Sequence, residues 1–155
     1  MNAWICLRIM VQWLILKRAY HVCYTLLMEK RMNGRTQENI DPTLDAARQV
    51  DAWIQSIWEW VQSHPQYKDK TALLITTDHG RGDLKKEQWT GHGSSIDGAS
   101  QIWFAVIGPG IAGQGEMSNT TPYFQEQFAQ TIASFLGENY KADHPIAEPI
   151  KLPGN

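Results

Sequence analysis

The residues best suited to chemistry stand in two places. Asp78-His79-Gly80 directly follows the apolar run TALLITT at 71–77, and Gly91-His92-Gly93 places a second histidine fourteen positions beyond Asp78. Carboxylate oxygen and imidazole nitrogen bind a divalent ion such as zinc at about 2.0 to 2.2 Å. An adjacent Asp and His, joined by a histidine on a returning loop, therefore make a candidate ligand set of Asp78, His79 and His92. An acid and an imidazole at the end of a buried strand have rigid support, while Gly80 and Gly82 leave the backbone free to bend closely around a ligand. The plainer reading is a turn with a hydrogen-bonded histidine, a loop residue at His92, and a solvated charge at Arg81 in place of a contact to an anionic substrate. Spacing alone leaves both readings open. His21, His64 and His144 sit near termini or helix ends and receive no role. Trp89 is expected to pack the loop beneath His92.

The elements that must position these residues follow from periodicity. Asp41-Pro42 suits a helix start, because a carboxylate can accept from free backbone N–H groups and proline is tolerated at the first helical position. Leu44, Ala47, Ile54, Ile57, Trp58 and Val61 then recur at three- and four-residue steps, which predicts a helix over about 42–63 with one covered face. Trp53, Trp58 and Trp60 on it read as core or interface residues. His64-Pro65 ends it. TALLITT at 71–77 lacks alternation, as a strand buried on both faces does, and IWFAVIG at 102–108 has the same character up to Pro109-Gly110. Thr121-Pro122 opens a further helix bearing Phe124, Phe128, Ile132 and Phe135, with Gly137 as its stop; the chain after Tyr140 reads as irregular. Helices alternating with buried strands predict an α/β fold.

Composition bounds the function classes. The chain has 155 residues, 43% hydrophobic and 19% charged, which suits about one globular domain and excludes a disordered or fibrous chain. A formal charge of -2 gives no broad attraction to nucleic acid or an anionic membrane. Two cysteines, Cys6 and Cys23, make no disulfide framework and match no zinc spacing. The run at residues 4–16, WICLRIMVQWLIL, is shorter than the roughly 20 residues of a membrane span. Its charges follow it, unlike those of an export signal, so it reads as a buried or partner-facing segment. The polar stretch 29–40 reads as a linker.

The residues from about Asp41 to Gly110 carry a family likeness. DPTLDAARQVDAWIQSIWEWVQSHPQYKDKTALLITTDHGRGD, then QWTGHG and IWFAVIGPG, resembles the carboxy-terminal part of the alkaline phosphatase superfamily. It looks most like the branch of type I phosphodiesterases, sulfatases and phosphoglycerate-type mutases. The resemblance implies an α/β fold with a sheet of mostly parallel strands flanked by helices. It also implies hydrolysis of a small-molecule phosphate or sulfate ester with two divalent ions, zinc or manganese. By resemblance Asp78 and His79 hold the ion that also holds the nucleophile, and His92 holds the second. Two ions about 4 Å apart clamp the attacking and leaving oxygens of such a transfer. The likeness runs over about 41–150, leaving 1–40 as a divergent segment and 151–155 as a tail. The family draws further ligands and its nucleophile from more amino-terminal sequence. Residues 28–40 contain neither Asp nor His, and no Ser or Thr is assigned as nucleophile. The expectation is therefore a fragment of such a hydrolase, active with a partner chain or alone. The alternative is a catalytically silent remnant or interaction module whose exposed apolar surface meets a partner or a second copy.

Overall fold

A strand without polar alternation must be covered on both sides, and the whole arrangement is built around one such strand. The computed structural model describes residues 5–17, 20–32, 41–82, 86–88, 91–118 and 121–154. Its elements are β1 (Ile5–Lys17), β2 (Tyr20–Met32), α1 (Asp41–Ser63), β3 (Thr71–Thr77), β4 (Phe104–Ile107) and α2 (Gln127–Phe135), with a short 3-10 turn at Lys86–Gln88. The sheet order is β2-β1-β3-β4. Six of the seven β3 residues are buried, and Ile75 is half-buried.

Two cores meet at β3. On one face Leu73 packs with Val50 and with Ile54 and Trp58 of α1, beside Ile75. On the other, Ala72 and Leu74 join Phe128 and Ile132 of α2 and Ile150 and Leu152 of the final segment. Helices thus cover both faces of β3.

The α1 face matches the expected one at Ile54, Trp58 and Val61 but differs in the first turns. Ala46, Val50 and Val61 are its buried members, while Leu44 is 42% exposed. Leu44 lies six positions before Val50, about 120° around the helix, so both cannot face the sheet. Trp58 packs inward, but Trp53 and Trp60 remain exposed. Trp60 instead stacks on His64 at 4.1 Å. The helix stops at Ser63 as His64-Pro65 requires. The turn into β3 passes through Asp69 at φ 56°, a backbone region that Asp tolerates better than most residues.

α2 begins at Gln127, later than Thr121-Pro122 suggests. Phe124 donates its backbone N–H to Gln127 Oε1 and stays outside the helix, exposed. The stop is at Gly137 as expected: its φ is 71°, Gly137 N donates to Ser134 O, and Glu138 N donates to Ala133 O. Those two bonds form a Schellman cap, which favours glycine at this residue. The chain beyond is irregular and mostly exposed, with its end tied down. Ile150 N donates to the buried Thr131 Oγ1, Ala112 N donates to Pro153 O, and Leu152, in the stretch read as a tail, is buried.

Strand direction departs from the mostly parallel sheet that the resemblance implies. All three described pairings, β1 with β2, β1 with β3 and β3 with β4, are antiparallel. Only residues 18–19 separate β1 from β2, which allows a hairpin and no crossover. Between β3 and β4 the only described element is the three-residue turn 86–88, where a parallel pair would need a crossover helix. The stretch read as a linker also begins later, since β2 runs to Met32; residues 33–40 lie outside the described ones. Most of the run at 4–16, read as a buried or partner-facing segment, falls in β1, Ile5–Lys17, which lies beside β3.

Leu73, 1% exposed, fills the junction of α1 and the sheet. Leu73→Ala is expected to lower the unfolding free energy by about 2 to 5 kcal/mol. Leu44→Ala should change it by no more than about 0.5 kcal/mol. Urea titration followed by circular dichroism measures both, and equal losses would mean that α1 docks through a different face.

Candidate metal centre

β3 ends in Thr76 and Thr77, both buried, and delivers Asp78 and His79 half-buried at its carboxyl end. Thr76 Oγ1 donates to Trp103 O at 2.8 Å, which ties the strand end to the residue that enters β4. The long loop between them therefore starts and finishes at one edge of the sheet.

Within that loop the backbone closes on itself. Gly80 N donates to Ala99 O at 2.8 Å, and Gly82 N donates to Gly91 O at 3.1 Å. The second bond brings the loop back so that His92 lies over His79, ring centroids 4.3 Å apart and planes 16° from parallel. The glycines serve close approach, not an unusual φ. A Cβ at Gly80 would strike the carbonyl oxygens of Gln101 and Gly98, and one at Gly82 would strike Gln88. At Gly93 a Cβ would meet open space. Trp89, expected beneath His92, lies outside the described residues.

The hydrogen bonds settle how the His79 ring is turned. His79 Nδ1 lies 2.8 Å from Gly80 O, a carbonyl that can only accept, so Nδ1 is the donor in that bond and Nε2 is the nitrogen turned toward Asp78. Nε2 in turn lies 3.7 Å from Asp78 Oδ1. That separation falls within the roughly 3 to 4 Å between two donors that share one ion at about 2.0 to 2.2 Å each. Asp78 Oδ1 also accepts from the His79 backbone N–H at 3.0 Å, which fixes the carboxylate. Asp78 and His79 thus suit a shared ion in donor type and spacing.

His92 is exposed and differs in its relation to that pair. Imidazole lone pairs lie in the ring plane, so two nearly parallel stacked rings direct them within separate planes and not toward one point between the rings. The loop brings all three sequence-derived ligands together, but as a pair plus one. Accordingly, among the described residues no three His, Cys, Asp or Glu side chains gather closely enough to hold an ion. Arg81 is half-buried beside the site and makes interactions of its own.

Sequence reasoning missed the loop 94–101. Ser94, Ser95, Ile96, Asp97, Gly98, Ser100 and Gln101 line an open polar cavity of about 520 Å³, and of these Gly98 and Gln101 lie against Gly80, whose N–H donates to Ala99 O. The density of Ser and Gly there was the available signal.

The chain matches no known family model, no curated protein and no solved structure. The geometry of these residues therefore carries the functional reading.

The two glycine environments separate cleanly. Gly80→Ala is expected to cost about 1 to 3 kcal/mol, because the obstructing atoms are backbone. Gly93→Ala should stay within about 0.5 kcal/mol. Thermal melts of both variants test this, and an unperturbed Gly80→Ala would show that the loop does not close on Ala99.

Proposed function

We propose that this chain belongs to a metal-dependent hydrolase of phosphate or sulfate esters, of the phosphatase, phosphodiesterase or sulfatase kind. The observation that carries the reading is the approach of Asp78 Oδ1 to His79 Nε2 at 3.7 Å, at the end of a doubly buried strand. The likeness of TTDHG and GHG to the alkaline phosphatase superfamily supports it, and in this reading residues 41–150 are part of an alkaline-phosphatase-like α/β domain. A divalent ion, zinc or manganese, would activate the nucleophile and offset charge developing on the transferred group.

The chain's own residues have distinct tasks in this reading. Asp78 and His79 hold one ion. The Gly80 carbonyl holds the His79 ring orientation, as an outer partner of a metal-binding histidine does. His92 serves a second ion, which its parallel stacking on His79 supports. No residue is assigned as nucleophile. The substrate is a small phosphate or sulfate ester. Among the described residues no helix is long and apolar enough to cross a membrane.

A second reading has its own supporting observation. Each ion would find fewer than the three or four protein ligands that usually hold zinc, since no three-ligand group occurs among the described residues. A chain so equipped would be a catalytically silent remnant or interaction module.

Two measurements separate the readings. Calorimetric titration with zinc or manganese should show binding that His79→Ala weakens at least about tenfold. At ten to a hundred times the dissociation constant, the metal should raise stability by about 1.4 to 2.7 kcal/mol. Turnover of an aryl phosphate or aryl sulfate that requires the metal and is lost in His79→Ala supports the hydrolase. Metal binding without turnover supports the silent reading, and absence of metal binding overturns the metal centre itself.

A further inference from the structure

The edge of the sheet at β4 is built unlike a protected edge. β4 is the terminal strand, and among the described residues its outer side pairs with nothing. Sheets usually guard such an edge with charge, proline or a covering element. Here the eighteen residues from Gly98 to Gly115 contain no charged side chain, and Pro109 falls after the strand. A groove of about 720 Å³ is lined by all of β4 and by the segment 111–117.

One face of this strand is also left open. Ile107 lies opposite Leu73 and Ala105 opposite Ile75, so these pairs share the face that α1 covers. α1 buries Leu73, yet Ala105 is exposed, Ile107 is 43% exposed and Trp103, one step before the strand, is 51% exposed. The apolar sheet surface thus continues past the helix that should cap it.

We propose that β4 is a dimer seam, where two copies of this chain pair edge to edge, antiparallel about a twofold axis, into one continuous sheet. The strand's own pattern favours a second copy over a different chain. A twofold axis perpendicular to the sheet keeps faces matched, and directly opposed residues share a face, so the axis must pass through a residue and not between two. With the axis at Ala105, the smallest side chain of β4 meets itself. Trp103 then lies opposite the partner's Ile107, an aromatic against a β-branched side chain, a pairing that stabilises sheets. Phe104 opposes the partner's Val106 in the same way. Self-pairing also sets like charges near one another in any charged strand, and this strand has none to repel. The inference does not depend on the hydrolase reading.

Sedimentation velocity over a concentration series of the full chain should show a monomer–dimer equilibrium. Ala105 is exposed, so Ala105→Lys and Ala105→Glu leave the fold intact, which circular dichroism checks. Each should weaken self-association at least about tenfold, because the substituted position faces itself at the axis. Mixing the two variants should restore a dimer containing one of each. A chain that is monomeric up to its solubility limit overturns the proposal and leaves the face for another partner. A dimer indifferent to both substitutions, or a mixture that fails to recover, overturns it as well.

Discussion

Burial of β3 on both faces is the constraint on which the other elements depend. Seven residues with almost no exposed surface leave no position where a polar side chain could face water, so a covering layer must exist on each side. α1 supplies one through Val50, Ile54 and Trp58, and α2 supplies the other with Ile150 and Leu152. Because α2 is short, the irregular final segment must complete that second layer. The bond from Ile150 N to Thr131 Oγ1 is the device that holds it there, satisfying a buried hydroxyl and a buried amide at once. Remove the double burial and neither helix has a reason to dock.

The same constraint creates the site. A strand clamped along its length ends with well-fixed coordinates, and Asp78 and His79 inherit them. The antiparallel return to β4 then makes the loop between the strands a single arch over one edge. Backbone bonds from Gly80 to Ala99 and from Gly82 to Gly91 fold that arch inward until His92 stacks on His79. Rigidity comes from main-chain bonds that need no particular side chain. Specificity comes from the glycines whose Cβ atoms would obstruct them.

Much of this was legible in the residues. TALLITT announced a doubly covered strand, His64-Pro65 and Gly137 marked helix ends, and the Asp-His pair with a later Gly-His-Gly identified the three side chains that the loop gathers. What was not legible depended on tertiary partners. The apolar run at 102–108 looked like TALLITT, but its alternating burial reflects a helix on one face only, and no local signal tells an edge strand from a central one. In the first turns of α1 the covered residues are Ala46 and Val50 and not Leu44 and Ala47, because both pairs fit the period that Ile54, Trp58 and Val61 continue. The resemblance implied mostly parallel strands, whereas the described pairings are antiparallel and the described residues between β3 and β4 form only a short turn. The packing of Ile150 and Leu152 carried no periodic signature, since an irregular segment can bury isolated side chains without one.

The edge and the site are mechanically one region. Trp103, the first residue of the open β4 face, offers its carbonyl to Thr76 Oγ1, and Thr76 stands two residues before Asp78. Gln101, two residues before Trp103, packs its carbonyl where any side chain at Gly80 would have to go. The strand entry at 101–103 therefore lies against both flanks of the Asp78–His79 pair, bonded to Thr76 and close beside Gly80. Pinning that entry, by a strand laid along β4 or by any other cover, restrains the arch that holds His92 over His79. The open edge and the Asp78–His79 pair are thus joined through the strand entry at 101–103, the one on β4 and the other at the end of the doubly covered β3.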